Sequence, residues 1–338
     1  MEQASAALVS VIITTYHNEE LLPRAIDSVL AQTYPNVEIL VVDDNDPQSP
    51  SRDATEKVML AYPTVKYLKH TCNRNGSAAR NTGIAAAEGR YLAFLDNDDL
   101  YLQTHLSRCV RALAEHPDCS AVLCGVLKFR SGLCWQLVPA MQGDPARELL
   151  FSETALGTGS NLFVSADAAR EIGGFDESFF RHQDVEFGLR LFSRFRAVSL
   201  PCFSILKDMG GYSNAPDFDR FLLAKQHLWE TFSEQIGRLS LEEQHRYYAG
   251  QYHALLYTAC QGNQKQAIAL CAARIQDHRR LTGQEQLIVG LTRLRLFPCY
   301  EWLKRMAKRI GARRAYSRAA KALDTADRQT LDRVLGKH

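Results

Sequence analysis

The sequence predicts an α/β protein with a doubly wound, mostly parallel sheet flanked by helices and followed by an α-helical C-terminal extension. Three observations support this. Apolar runs alternate with helix-like segments between residues 8 and 206, the order typical of parallel sheets. The runs 8–13 and 37–42 are almost continuously apolar, as in strands covered on both faces. After about residue 215 only helical periodicity remains.

The individual elements are predicted from these patterns. Strands are expected at residues 8–13, 37–42, 65–68, 91–95, 120–129, 135–138 and 198–206. Helices are expected at 19–32, 53–62, 77–87, 102–114 and 184–194, and in the second part at 221–236, 241–260, 264–280 and 285–296. Gly89 is expected to cap the helix 77–87, and Ser240 with Glu243 to form a capping box. We therefore expect two domains, residues 1–215 and 216–338.

The composition is that of a globular protein. The chain has 338 residues, 46% hydrophobic and 23% charged, and its net charge of +2 gives no argument for nucleic-acid binding. Its nine cysteines form no Cys-x-x-Cys pair, which argues against zinc ribbons and thioredoxin chemistry and indicates free thiols in a reducing cytoplasm. We see no signal-peptide pattern and no run near the roughly 18 apolar residues of a spanning helix. A soluble or peripheral cytoplasmic protein is expected.

Polar side chains follow three of the predicted strands, at the edge where open parallel sheets bind ligands. They are the segments Thr14-Thr-Tyr16, Asp43-Asp44 and Asp96-Asn-Asp98-Asp99. Carboxylates two residues apart can hold a hard divalent cation, which neutralises the charge on a departing phosphate. The alternative is an Asp-rich turn with internal hydrogen bonds and no ligand. For this segment alone both interpretations remain open.

Asp44, Tyr16 and Arg80 are candidates for contacts with a ligand. Asp44 could accept a hydrogen bond from a nucleobase, with Tyr16 packed on the base, or could simply end a strand in a solvated turn. Gly76 permits a tight turn before a helix start that offers N–H groups to an anion. Arg80, one turn further on, could reach a base or a diphosphate, and a surface ion pair is the alternative.

The run from Gly173 to Asp184 combines paired glycines, aromatic residues and a carboxylate at a helix start. The helix dipole keeps such a carboxylate ionised, so that it can take a proton from a sugar hydroxyl. A helix-capping role for Asp184 is the alternative. The pair Glu186 and Arg190 is interpreted as helix support.

Six segments together resemble glycosyltransferase family 2, and the resemblance covers roughly residues 8–210. They are Ser10-Val-Ile-Ile-Thr-Thr-Tyr-His-Asn18, Ala25 to Pro35, Glu38 to Asp44, Ala79-Arg-Asn-Thr-Gly83, Phe94 to Asp99, and Gly173-Gly-Phe-Asp-Glu177 through His182-Gln-Asp184. The resemblance implies the GT-A fold, a Rossmann-like sheet, and an inverting transfer of a sugar from a nucleotide diphosphate donor, usually a uridine diphosphate sugar.

The resemblance also implies roles for single residues. Nucleotide-contacting positions are matched by Thr14, Tyr16, Asp44 and Arg80. Asp96 and Asp98 match the Asp-x-Asp motif that holds Mn²⁺ or Mg²⁺ on the diphosphate, with Asp99 assisting. Asp184 matches the catalytic base. Ser160 and Asn161 lie where the family often lines the donor sugar or the acceptor.

Two departures from the family refine the prediction. Many relatives have Glu-Asp where this chain has Gln183-Asp184, so the acceptor contact at 183 differs while the base is kept. The chain also lacks a Gln-x-x-Arg-Trp motif and spanning segments, which argues against processive synthesis. The expected acceptor is a saccharide or a lipid-linked saccharide hydroxyl, in bacterial surface polysaccharide assembly.

Two alternative functions remain open at this point. A nucleotidyltransferase would use similar metal-binding acids, but it favours a Gly-rich, basic loop where this chain has Thr14-Thr-Tyr-His-Asn18. A non-catalytic sugar-nucleotide-binding protein is the other alternative, and retention of Asp96, Asp98 and Asp184 argues against it.

The segment 301–321 is strongly basic, with eight Lys or Arg residues against Glu301 alone. Trp302, Leu303, Met306 and Ile310 fall at helical spacing beside this charge. Such a helix can lie on an anionic membrane at the inner face of the cytoplasmic membrane, where a lipid-linked acceptor would be found. A solvated helix packed on its neighbours is the alternative.

Overall fold

The computed structural model describes residues 6–210 and 217–336. Contacts divide the chain into two compact units. The first comprises residues 1–212 and 311–338, and the second residues 213–310. We describe each unit by itself.

The described part of the first unit contains one mixed sheet of nine strands. They are β1 (Val9–Thr15), β2 (Val37–Asp43), β3 (Lys66–Lys69), β4 (Tyr91–Asp96), β5 (Asp99–Tyr101), β6 (Cys119–Arg130), β7 (Leu133–Val138), β8 (Phe163–Ser165) and β9 (Arg196–Asp208). Their order is β3-β2-β1-β4-β8-β6-β9-β5, with β7 on β6. The strands β3, β2, β1 and β4 are mutually parallel, whereas β8 pairs antiparallel with β4 and β6. In the other half of the sheet β6 and β9 are also parallel to each other. The predicted fold class is confirmed.

Helices cover this sheet and follow its strands. They are α1 (Leu22–Leu30), α2 (Pro50–Met59), α3 (Gly76–Ala86), α4 (His105–Glu115), α5 (Pro145–Phe151), α6 (Ala166–Glu171) and α7 (Gln183–Phe192). The central strands are buried on both sides, as their apolar runs predict: Val11, Ile12 and Ile13 are all 0% exposed. The sequence patterns missed β5, α5, β8 and α6 because these elements are too short to show a period.

Gly89 has a different role from the predicted helix cap. Helix α3 ends at Ala86, and Ala87 is already extended, with φ −75° and ψ 134°. A Cβ on Gly89 would lie 2.5 Å from Ser10 Oγ and 2.6 Å from Ser10 N. Glycine is therefore needed here because the chain passes close to β1, and the helix does not depend on it.

The described part of the second unit is helical. It contains α8 (Phe218–Thr231), α9 (Ser233–Gly237), α10 (Leu241–Gln261), α11 (Lys265–Gln276) and α12 (Gly283–Arg293). The predicted helix 221–236 is thus two helices. Ser240 and Glu243 form the predicted capping box at the start of α10. The unit is held by its own apolar core, which includes Leu255, Leu256, Cys271 and Ile288, all 0% exposed.

The last helices are α13 (Phe297–Ala322), which has residues in both units, and α14 (Thr325–Val334). Ala319, Leu323, Leu331 and Leu335 pack in one cluster with Leu100, Leu102, Leu127, Phe129, Cys134 and Leu206 of the sheet. The prediction that all of residues 216–338 form one separate region is therefore wrong for residues after 310. Burial of these apolar side chains on the sheet is the physical reason. Among the described helices, none has the length and apolar character that crossing a membrane requires.

Candidate active site

Three carboxylates gather where β4 leaves the sheet. Asp96 is the last residue of β4 and is paired in register with Thr14 of β1. Asp99 opens β5, which turns back along β9. One carboxylate oxygen from each of Asp96, Asp98 and Asp99 lies within 4.8 Å of the others. The structure therefore brings together the three residues predicted to bind a metal.

The donor set of this cluster suits a hard divalent cation. Asp99 is fully buried, and its Oδ2 accepts hydrogen bonds from Thr158 Oγ1 at 2.6 Å and Ser160 Oγ at 2.7 Å. Its Oδ1 has no hydrogen-bond partner among the described residues and lies 3.7 Å from Lys207 Nζ. A buried carboxylate oxygen without a hydrogen bond, beside two other carboxylates, is the arrangement that such a cation completes.

Crowding of charges separates the pKa values of the cluster. Burial, and then Asp99 and Asp96, raise the pKa of Asp98 to about 7. Burial opposes ionisation of Asp96 too, but the charges of Arg80 and Lys207 outweigh it and lower the Asp96 pKa. For Lys207, the surrounding carboxylates outweigh burial and raise its pKa. The ammonium group is thus a fixed positive charge within the acidic cluster.

Arg80 connects this cluster to the start of α7. Its Nη2 donates to Asp96 Oδ1 at 2.7 Å, and its Nη1 donates to Gln183 Oε1 at 2.9 Å. A Cβ on Gly76 would lie 2.8 Å from Gln183 Oε1 and 3.0 Å from Arg80 Nη1. Gly76 therefore makes room for this pair, while the unusual backbone angle of the turn is at Asn75, with φ 101°.

Asp184 is the second residue of α7, beside Arg80. A Cβ built on Gly159 would meet Asp184 Cβ at 3.5 Å and Arg80 Nη2 at 3.6 Å, so both side chains border the same glycine. Burial raises the pKa of Asp184; Arg80 opposes this shift and Asp96 adds to it. The predicted base and the predicted metal ligands therefore lie in one electrostatically connected site.

Asp44 holds the loop that precedes α3. Its Oδ1 accepts from His70 Nδ1 at 2.7 Å and Arg74 N at 2.8 Å, and its Oδ2 accepts from Asn73 Nδ2 and Asn75 N, both at 2.9 Å. These four bonds use the acceptor sites of the carboxylate. In this structure Asp44 therefore fixes the entry to α3, which carries Arg80, and a direct bond to a base would have to displace one of these partners.

Comparison with known proteins agrees with this arrangement. Residues 10–173 match the model of the family described as glycosyl transferase family 2. Residues 10–173 belong to glycosyltransferase family 2. These residues lie in the first unit, for which the name family 2 domain is used below.

Two curated relatives illustrate the match. An uncharacterized glycosyltransferase of Rickettsia felis is 30% identical over 191 residues, covering 54% of this chain and 31% of the relative. The UDP-Glc:alpha-D-GlcNAc-diphosphoundecaprenol beta-1,3-glucosyltransferase WfgD of Escherichia coli is 39% identical over 101 residues, covering 29% of this chain and 38% of the relative. The chain thus matches only about a third of the length of each.

A solved structure shows the same fold. The mannosyltransferase PcManGT from Pyrobaculum calidifontis, in complex with GDP-Man and Mn²⁺, matches with a TM-score of 0.54 and 19% identity. The match covers 91% of this chain and 86% of that one. The chain therefore has the GT-A fold.

In the family 2 domain, the predicted nucleotide residues of the first strand lie beside the acidic cluster. Tyr16, directly after β1, is 45% exposed, so part of its side chain is accessible. Asn97, between the acids, donates to Thr15 Oγ1 at 2.9 Å and to His17 O at 2.8 Å. The acidic turn is thereby tied to the segment that carries Thr14 and Tyr16.

The two residues predicted to line the sugar have different positions. Ser160 lies in the cluster: its Oγ donates to Asp99 and accepts from Asp96 N at 3.1 Å. Asn161 is 4% exposed, and its amide bonds the backbone of Cys124 and the Leu156 carbonyl, at 2.8–2.9 Å. Asn161 therefore fixes the backbone behind the site, which differs from the predicted ligand contact. The side-chain NH₂ group of Asn161 donates to two backbone carbonyls, those of Cys124 and Leu156.

The sequence analysis missed Lys207 and Thr158. Lys207 Nζ lies 3.2 Å from Thr158 Oγ1, so the two meet at Asp99. The position of Lys207 in the sequence could have indicated a buried, paired lysine. Lys207 follows the buried residues Ile205 and Leu206 near the end of a strand, and a charged residue in that position requires a partner.

Proposed function

We propose that the protein is a non-processive, inverting glycosyltransferase. It moves a sugar from a nucleotide diphosphate donor, a uridine diphosphate sugar, to the hydroxyl of a saccharide or lipid-linked acceptor. The observation that carries the proposal is the link made by Arg80, which joins the acidic cluster at Asp96 to the helix start that bears Asp184. A base and a diphosphate-binding region side by side are what a single displacement requires.

In the proposed mechanism Asp184 deprotonates the acceptor hydroxyl, which attacks the anomeric carbon opposite the leaving diphosphate. The raised pKa of Asp184 makes it a stronger base than a solvated carboxylate. Mn²⁺ or Mg²⁺ held by Asp96, Asp98 and Asp99 would supply positive charge to the departing diphosphate. Arg80 and Lys207 add fixed positive charge at the same place. Tyr16 packs against the nucleobase of the donor.

The acceptor is proposed from chemistry and from a relative. WfgD is named for transfer of glucose to a diphosphoundecaprenol-linked sugar, and a comparable acceptor at the inner face of a bacterial membrane would place this protein in surface polysaccharide assembly. A cytoplasmic donor and a lipid-linked acceptor meet at that surface.

The central test is a panel of nucleotide sugars. We expect at least one uridine diphosphate sugar to bind and to be slowly hydrolysed, with a strong increase on adding Mn²⁺. Calorimetry measures binding, and release of the nucleoside diphosphate measures hydrolysis. Failure of every uridine nucleotide to bind, with or without Mn²⁺, would refute the proposal. Binding without hydrolysis or transfer would favour a non-catalytic sugar-nucleotide-binding protein.

The role of Asp184 is tested by Asp184→Asn. We expect transfer to fall about 10²–10⁴-fold, because the variant cannot accept the proton. Nucleotide affinity should change little, since the amide keeps the size of the side chain. Asp167→Asn, at the start of α6, is the matched control and should keep full activity. Transfer by Asp184→Asn within tenfold of the parent would assign the base to another residue.

We also propose that α13 contacts an anionic membrane. Trp302 is 61% exposed, Leu303 59% and Ile310 77%, and basic residues lie among them on the same helix. Exposed apolar side chains beside positive charge fit a surface with anionic headgroups. We expect the protein to float with vesicles rich in phosphatidylglycerol. With neutral vesicles the protein should remain at the bottom of the gradient.

The membrane contact is tested with substitutions in α13. A truncation that removes α13 would not be a clean test, because deleting the residues after 298 also removes core residues such as Leu331. Trp302→Ser with Ile310→Ser should abolish flotation. Leu60→Ser, at a residue 83% exposed in the family 2 domain, should leave it unchanged. Equal flotation of all three proteins would contradict the contact.

A further inference from the structure

Asn75, the residue that precedes α3, has a backbone conformation that is almost exclusive to glycine. Its φ is 101° and its ψ is 167°, a combination that is strained for a residue with a Cβ atom. Residues other than glycine keep such a conformation only where the surrounding structure compensates the strain, and they cluster at functional sites. The contacts of the Asn75 side chain show what it supplies that glycine would not.

The side-chain amide of Asn75 makes hydrogen bonds in two directions. Its Oδ1 accepts from Ser77 N at 2.9 Å and Ala78 N at 3.1 Å, which caps α3. Its Nδ2 donates to Glu177 O at 2.8 Å. The opposite orientation would set the NH₂ group against two N–H donors, so the partners fix the amide as described. An aspartate, serine or threonine would cap the helix equally well, and only the bond to Glu177 requires an amide.

Glu177 belongs to the run 173–184, which ends in the predicted base. Its Oε1 accepts from Asn81 Nδ2 and its Oε2 from Arg74 Nη2, both at 3.0 Å. The side chains of Arg74 and Glu177 are 46% and 43% exposed, so this ion pair alone is a weak attachment. The bond from Asn75 to the Glu177 carbonyl does not depend on charge. The segment 74–81 thus holds Glu177 by both its side chain and its backbone.

Asn75 is also bonded to the predicted nucleotide site. Its backbone N–H donates to Asp44 Oδ2 at 2.9 Å. At the next residue, a Cβ on Gly76 would lie 2.8 Å from Gln183 Oε1, so the run 173–184 lies against the start of α3 near Asp184 as well. Asn75 therefore connects Asp44, through its backbone, with the run that carries Asp184, through its side chain.

We propose that Asn75 is a positioning residue for the base. Its amide holds the run 173–184 at a fixed place relative to the nucleotide site, and so sets the distance between Asp184 and the acceptor hydroxyl. This inference rests on the proposed function, because it takes Asp184 as the base. A misplacement of about 1 Å can cost about 10²-fold in rate, while the contacts of the donor itself stay intact. Capping of α3 alone is the competing role for Asn75.

The first test is Asn75→Gly. Glycine adopts this backbone conformation without strain and replaces asparagine as a cap at little cost, so the midpoint of thermal unfolding should stay within about 4 °C of the parent. We expect kcat for transfer to fall about 10–100-fold, with donor affinity in calorimetry nearly unchanged. Asn263→Gly is the matched control, at another asparagine with positive φ, 51°, between α10 and α11. It should keep the kcat of the parent.

Asn75→Asp separates positioning from capping. Aspartate keeps the oxygen that caps α3 but cannot donate to Glu177 O. We expect this variant to lose kcat as Asn75→Gly does, at unchanged thermal stability. Parent-like kcat in Asn75→Asp would assign Asn75 to capping alone. A fall in donor affinity at unchanged kcat would place Asn75 in donor binding. Either result would overturn the proposal.

Hydrogen exchange tests the attachment without any transfer. In Asn75→Gly, peptides that cover residues 175–183 should exchange faster than in the parent, with no change in α10 to α12. This measurement holds even if no nucleotide sugar binds, so its outcome is separate from that of the proposed function. Unchanged exchange over 175–183 would refute the attachment. Faster exchange with a parent-like kcat would show that the attachment does not position the base.

Discussion

At the scale of single residues, the site is governed by how four carboxylates share two basic side chains. Arg80 is bonded to Asp96 and Gln183, and Lys207 lies against Asp99. Burial, and then Asp99 and Asp96, raise the pKa of Asp98 to about 7, and burial raises the pKa of Asp99 as well. A glutamate at position 183 would compete for Arg80, so the glutamine of this chain leaves the guanidinium to Asp96.

The raised pKa of Asp98 predicts how cation binding depends on pH. A cation requires the ionised form, so Mn²⁺ affinity should rise about tenfold per pH unit from pH 5 to about 7 and level off above about 8. Calorimetric titrations at several pH values measure this. Asp98→Asn should bind more weakly and with a shallower slope, because Asp99, whose pKa burial also raises, remains. A parent affinity independent of pH would contradict the assignment.

The stability of the metal-free protein should change in the opposite direction. In the unfolded chain the pKa of an aspartate is about 3.9. Between about pH 4 and pH 7 the folded state holds a proton at Asp98 that the unfolded state has lost. The contribution of Asp98 to stability therefore falls as pH rises through this window and is constant above about pH 7. Added Mn²⁺ should remove the loss, because it compensates the same charge.

At the scale of elements, α7 does more than present Asp184. Glu186 is 1% exposed and pairs with Arg190, which donates to the carbonyls of Ile172 at 2.5 Å and Gly174 at 2.7 Å. The interpretation of this pair as helix support alone is therefore too narrow. The pair fastens the glycine turn to the helix, and Asn81 fastens the same turn to α3 through Phe175 N and O.

This connection predicts a difference between two ion pairs. Glu186→Ala should lower the free energy of unfolding by about 2–4 kcal/mol, because it leaves Arg190 without its buried partner. Glu171→Ala breaks the exposed pair with Arg194, where both side chains are 54% exposed, and should cost less than about 1 kcal/mol. Urea unfolding followed by circular dichroism compares the two. Equal losses would show that the Glu186 pair is not a structural connection.

At the scale of the whole molecule, the C-terminal helix belongs to the family 2 domain. Thr104, before α4, donates to Asp327 from both its backbone N–H, at 3.1 Å, and its hydroxyl, at 2.6 Å. Arg108 pairs with Asp324 at 2.8 Å. Together with the apolar cluster around Leu331, these contacts make the end of the chain part of the sheet's cover.

Leu331→Ala should therefore destabilise the family 2 domain by about 2–5 kcal/mol, the usual cost of a cavity at a fully buried leucine. Hydrogen exchange should show lost protection in β5 and β9, with little change in α10 to α12. Leu303→Ala, at a residue 59% exposed, should stay within about 0.5 kcal/mol of the parent. Unchanged exchange in β5 and β9 after Leu331→Ala would contradict this packing.

Much of this description follows from the sequence by itself. Apolar runs such as Val9 to Ile13 can be satisfied only in the middle of a covered sheet, so the strands and the edge that carries Asp44, Asp96 and Asp98 are fixed locally. The motif order predicted the family and its fold. Capping at Ser240 was equally predictable, because it depends on residues only three apart.

Only the tertiary structure decided which partners meet. Lys207 at Asp99 and Asn161 on the backbone of Cys124 come from elements far apart in the chain, and no local period encodes such contacts. The same holds for the return of α14 to the sheet. Local sequence determines which groups are buried, whereas the pairing of buried groups depends on how distant elements pack, and that packing is a property of the whole fold.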